Sequence, residues 1–280
     1  NANSQGSLKV TGKANRTINA TFGASGNDFT NFKLGGTGLN TFAAASGKQY
    51  LTNITFIDAA ASKATFAGAA NVDNTVNFTA DGQVLTFAGT STLTGGADFS
   101  GNAATLVIDT TAANASLSGG VITDSTGNSK GTISVIGGKI ATISKAVGSA
   151  GHSIGAITVA NGTTANFAED VYVKNTTFIG TGGGKFDGKA FISGSLTVDT
   201  GTVNFNAMTD ITGATLSFGS GTVNFNAGTT GSANFVDGTY NFSSTVSDDI
   251  NIASNDTTMV MGDGADVGTA DKAANVDNKT

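Results

Sequence analysis

The 280-residue chain contains no cysteine, no proline and no tryptophan. Without cysteine there can be no disulfides and no thiolate metal sites. Without proline, the many turns implied by 40 glycines are made while every backbone N–H is kept. That pairing points to a sheet-rich fold whose amides are nearly all used in hydrogen bonds. With no tryptophan and three tyrosines, the aromatic girdles of a membrane β-barrel are missing. No apolar run approaches the ~18 residues of a membrane helix. Acid–base groups are equally sparse: His152 is the one histidine, Arg16 the one arginine and Glu169 the one glutamate.

What is present favours strands. Hydrophobic residues make up 39% of the chain and charged residues 12%, a balance too apolar and too weakly charged for disorder. The apolar set is built from 18 phenylalanines with many valines, isoleucines and threonines, the residues that suit a pleated surface. The net charge of −6 is uneven: residues 1–247 carry 12 basic and 13 acidic groups, whereas 248–280 carry 2 and 7. Nothing forms a basic footprint for nucleic acid or for an anionic membrane surface, so neither is an expected partner. The opening NANSQGS has no initiator methionine and no signal segment, which suggests a piece of a longer protein.

The heptapeptide GTVNFNA occurs at 201–207 and again at 221–227, with looser copies at 238–244 (GTYNFSS) and 74–80 (NTVNFTA). Repetition at this spacing is the mark of one supersecondary unit stacked on the next. Short strand-like runs recur every 7–13 residues and are broken by Gly, Asn, Asp or Ser. Phenylalanine marks many of them, from Phe56, Phe66, Phe78, Phe87 and Phe99 to Phe205, Phe218, Phe225, Phe235 and Phe242. Between 100 and 160 the role passes to aliphatics, as in TLVID (105–109) and SIGAITVA (153–160). Within the repeat, Val203 and Phe205 alternate with Asn204 and Asn206, placing the apolar pair on one face. No stretch combines a 3.6-residue apolar period with caps, so almost no helix is expected.

Many short strands fit either a β-sandwich or a parallel β-helix. The repeat favours the second: an all-β solenoid of roughly a dozen coils, stacked at the ~4.8 Å strand spacing. Phe205 would then stack on Phe225, and Asn204 on Asn224. The next copy of the motif follows after seventeen residues, so the coils are unequal. Residues 1–247 are read as the solenoid, with 1–55 its less regular beginning, and 248–280 as an acidic, less regular end.

Candidates for chemistry are few. A Ser-His-Asp triad would have to use His152, which sits in the turn-like GSAGHSIGA between apolar strands. Asp170, Asp187, Asp199 and Asp210 are spaced so that they could share a face, and two carboxylates about 5–9.5 Å apart would suit glycoside hydrolysis. Yet with 19 aspartates to one glutamate, Asp reads first as the turn residue of this chain. MGDGADVG (261–268) resembles half of a calcium-binding nonapeptide repeat but appears once, whereas that motif works in tandem. GTGGGKF (180–186) resembles a phosphate loop without its Ser/Thr after Lys, and reads as a turn between coils. The frequent N-x-[ST] sequons follow from composition. No catalytic, cofactor-binding or metal-ligating residue is therefore assigned, and no cofactor.

The segment KGTISVIGGKIATISKAVGSAGHSIGAITVANGTTANFAEDVYVKNTTF (130–178) resembles the strand repeats in passenger regions of rickettsial surface cell antigens, which are outer-membrane autotransporters. ADGQVLTFAGTSTLTG (80–95) and TVNFNAGTTGSANF (222–235) share the style, and the likeness spans about 60–245. The resemblance implies a passenger displayed on the bacterial surface, carried by a C-terminal barrel and engaged in host-cell contact. Its partner would be a host-cell surface protein or glycan, with self-association in a coat as the structural alternative and a polysaccharide-cleaving solenoid as the enzymatic one. No receptor-contact residues carry over, and this stretch would not itself enter the membrane.

Inward-facing Phe225 gives a test of the fold. Phe225→Asp should lower stability by several kcal/mol, because it buries an unpaired charge in the stack. Denaturant titration of parent and variant measures this, and equal midpoints would mean that Phe225 faces outward.

Overall fold

Alternation within four-residue strands decides which side chains turn inward. In Thr202–Phe205, Val203 and Phe205 are fully buried, Asn204 is half-buried and Thr202 is exposed. Thr222–Phe225 repeats the pattern one coil later, in register with it. A computed structural model describes residues 6–43, 47–58, 61–244, 246, 250–252 and 257–262. Over these the protein is all-β and without helix, its parallel strands wound into a β-solenoid of about 11 turns. At ~4.8 Å per turn the rod is on the order of 50 Å long.

Each coil carries three short faces. Val84–Phe87, Ser91–Leu93 and Ala97–Asp98 occupy the first, second and third, and Thr105–Asp109 then lies parallel to Val84–Phe87 one coil on. Ser7–Val10 begins the third-face ladder, which continues through residues 31–34 and 53–56. The second-face ladder begins at Phe29 and reaches Thr257–Met261; the first-face ladder begins at Arg16–Asn19 and reaches Ile250–Ile252. In Val171–Phe178 and Ala190–Val198 the third and first faces are joined in one strand that turns the corner. A coil interior to the stack is bonded on both sides, so a proline there would break a ladder bond.

Like stacks on like inside. Phe167, Phe186, Phe205, Phe225 and Phe242 form one column on the second face, with ring centroids 4.7–5.3 Å apart and planes within 17° of parallel. Phe42, Phe66 and Phe87 form another on the first face, which Ile108, Val135 and Val159 continue in register. This is the handover to aliphatics expected between 100 and 160. Beside the second-face phenylalanines runs a column of small residues, Ala115, Ala141, Ala165 and Gly184, which then widens to Val203 and Val223. Gly184 is small for a reason: a Cβ there would stand 2.6 Å from the Phe178 ring. Towards the start of the chain, Phe22, Phe29, Phe32 and Phe42 meet edge to face at 64–80°, in place of the parallel stacks.

Coil lengths vary. Partners in successive coils are 26 residues apart at Thr92 and Ser118, 20 at Asn204 and Asn224, and 17 at Asn224 and Asn241. The extra residues leave chiefly between strands; at 148–153 they interrupt the third-face pairing opposite Tyr172. One expectation needs correction. Gly183–Phe186, read above as part of a turn, is a second-face strand; only residues 179–182 turn, because Phe186 must enter the phenylalanine column.

One buried column contains a misfit. Thr176 lies between Ile157 and Leu196, is fully buried, and its Oγ1 has no hydrogen-bond partner. Thr176→Val removes the desolvated hydroxyl while keeping the branched shape, and should raise stability by about 1 kcal/mol. Chemical denaturation reads the difference; a loss of stability would mean that the hydroxyl is bonded.

Candidate functional site

The four aspartates that could have shared a face do not gather on one. Asp187 follows Gly183–Phe186 at the corner between the second and third faces, where it accepts Asn206 Nδ2 at 2.8 Å and pairs with Lys185 Nζ at 2.9 Å. Asp170 lies at the same corner and accepts the Lys189 amide at 2.9 Å. Asp199 stands at the corner between the first and second faces and accepts the Gly180 amide at 2.9 Å. Asp210 is on the third face and accepts the Thr212 amide at 2.9 Å and its hydroxyl at 2.6 Å. Each carboxylate closes a turn or ties one coil to its neighbour, as an Asp at a turn does.

The other motifs resolve in the same way. His152 is exposed in a tight turn with Ser149, and its Nδ1 lies 3.3 Å from the Asp124 backbone carbonyl rather than a carboxylate. In GTGGGKF the amides of Gly180, Thr181, Gly182 and Gly183 are taken by Asp199, Asn161, Ile179 and Thr163, which leaves no cradle for a phosphate. Of MGDGADVG, only Met261 and Gly262 fall within the described residues. Among the described residues no three His, Cys, Asp or Glu side chains are grouped so as to hold a metal.

Alternation puts asparagine on the outer surface, where it also stacks. Asn224 Nδ2 donates to Asn204 Oδ1 at 2.7 Å and Asn241 Nδ2 to Asn224 Oδ1 at 2.6 Å. Asn226 donates to Asn206 at 2.8 Å and Asn206 to Asp187 at 2.8 Å. These ladders satisfy the amides along the rod axis. Asp124 plays an inward version of this part. It is fully buried where the Phe56–Phe78–Phe99 column ends, and its carboxylate accepts the amides of Gly101, Thr126 and Lys130 and the Thr126 hydroxyl.

Sequence reasoning missed one corner. Tyr172 and Phe191 stack outside the rod, with centroids 4.1 Å apart and planes 7° from parallel. The signal was available: Tyr172 is flanked by buried Val171 and Val173, and Phe191 by buried Ala190 and Ile192, so each must point outward. Around this pair the coil departs from its repeat twice. Val147 pairs with Val171 and Ile154 with Val173, so residues 148–153 form a loop opposite the single residue Tyr172. In the next coil a β-bulge sets Ser193 and Gly194 against Lys174, and a Cβ on Gly194 would stand 2.5 Å from Asn175 Oδ1. Between these irregularities lies an open pocket of about 110 Å³, lined by Ser153, Phe191, Ile192, Ser193, Asp210 and Thr212. Comparison with protein-family models, with curated proteins and with solved structures gives no match.

Among the described residues, three carboxylates depart from ordinary titration. Burial, with the neighbouring Asp73 carboxyl, pushes Asp28 up from 3.8 to about 6. At Asp98 burial acts upward, but hydrogen bonds from Ser125 and Ser100 outweigh it and hold the carboxyl below its usual value. The hydrogen bond from Asn206, with that from Lys185, lowers Asp187. As pH falls from about 6 towards 3.8, the folded state takes up the Asp28 proton before the unfolded state does, so stability should rise. Below 3.8 the unfolded forms of Asp98 and Asp187 protonate first, and stability should fall. Denaturant midpoints across this range should show a maximum on the acid side of neutrality, and Asp28→Asn should flatten its upper limb.

Proposed function

We propose that the chain is a non-catalytic, surface-displayed solenoid passenger that acts as a rigid adhesive stalk in host-cell contact. The observation that carries this reading is the uninterrupted inner stack beneath an outer surface whose side chains vary. A rod of this kind holds its shape without disulfides, and its coils add one upon another, which suits a chain that folds as it emerges from a cell. The resemblance of 130–178 to rickettsial surface antigen passengers supplies the setting: the outer face of a bacterial outer membrane. Asp170, Asp187, Asp199 and Asp210 are each taken up in closing a turn or tying one coil to the next, which weighs against the polysaccharide-cleaving alternative, since that needs a pair of free carboxyl groups.

With 12 basic and 13 acidic groups over residues 1–247, contact would rest on shape and neutral polar groups more than on charge. The purified chain should therefore bind cultured host cells saturably, with little loss of binding when salt is raised to about 0.5 M. Failure to saturate would reject the adhesive role. Ordered self-association at high concentration without cell binding, read by sedimentation velocity, would favour the coat protein instead.

A further inference from the structure

We propose that the corner built around Phe191 is a binding subsite for one neutral sugar unit of a glycan. The inference rests on the adhesive reading for its biological setting and deepens it by naming a ligand class. Sugar rings present an apolar C–H face and a rim of hydroxyls. The corner offers the complement of both: Phe191 stacked on Tyr172 outside the core, beside the Asp210 carboxylate and the hydroxyls of Ser153, Ser193 and Thr212. Thr212 holds Asp210 through Oδ1, which orients the carboxylate and leaves it further acceptor capacity for a hydroxyl donor.

Size and charge narrow the ligand. A space of about 110 Å³ that opens to solvent takes a single ring of a longer chain, not an extended peptide side or an acyl tail. Asp210 is the only charged residue in the lining, so phosphate and acidic sugars are repelled. The aromatic pair also has no role in the core: Tyr172 and Phe191 lie outside the buried cluster, whereas the other parallel ring stacks are within it. Stacked rings held by two ladder-paired strands form a rigid platform, and the 148–153 loop and the Ser193–Gly194 bulge shape its edges. Aromatic bodies with a few convergent polar groups are the usual composition of a small-ligand site.

The test uses the purified chain with lactose, maltotriose and chitotriose at millimolar concentration, read by saturation-transfer NMR and then by calorimetry. Transfer to the ring C–H protons of at least one sugar is expected. Phe191→Ala and Asp210→Asn should each weaken its Kd by about tenfold or more, while Tyr50→Ala, an outward aromatic elsewhere, leaves it unchanged. Asp210→Asn keeps the acceptor used by Thr212, so it guards against a variant that merely misfolds; circular dichroism checks both. No transfer to any of the three sugars, or equal affinity in both variants, overturns the subsite. Cell binding that persists without sugar binding would remove the subsite and leave the adhesive reading. Sugar binding without cell binding would do the reverse.

Discussion

Everything in this protein follows from one constraint: parallel strands bonded in register, coil upon coil, at ~4.8 Å. At that spacing the nearest neighbour of a side chain is the residue directly above or below it. Identical residues then meet face to face, and both apolar and amide side chains gain from the match. Phe205 meets Phe225 and Asn204 meets Asn224 for the same geometric reason, one pair inside and the other outside. The absence of proline belongs to the same constraint, because a ladder bonded on both sides has no spare amide position.

The constraint binds the faces and frees the corners. Coil lengths between 17 and 27 residues coexist because inserted residues leave the stack chiefly where strands end. Polar groups then close the openings. Asp170, Asp187 and Asp199 do so at the surface by accepting N–H groups from the adjacent coil. Asp124 does so in the interior, at the end of a phenylalanine column, with four donors around its carboxylate. A carboxylate so occupied supports the fold and is poorly placed for acid–base work.

The same freedom makes local surface identity possible on a repetitive scaffold. Near Tyr172 a six-residue loop on the preceding coil and a bulge on the following one together frame the one outward aromatic stack of the described residues. The core beneath continues without a break through Val173 and Ile192. Binding surface can thus change from coil to coil at little cost to stability, which fits the contact role proposed for the rod.

Alternation and repetition in the sequence were enough for the fold class, the inward valines and phenylalanines, and the asparagine columns. These depend on period-two side-chain placement and on stacking, which are local rules. The corner at Phe191 was not legible, although alternation around Phe191 was, because its partners come from residues 153, 172, 193, 210 and 212 on different coils. Which of them meet is set by the loop at 148–153 and by the one-residue bulge opposite Lys174, both of which shift register between coils. The sequence by itself determined that this chain stacks and which side chains face in. Only the tertiary structure decided at which corner or face each acidic residue falls and where an aromatic platform forms, because both depend on the sum of unequal coil lengths rather than on any one coil.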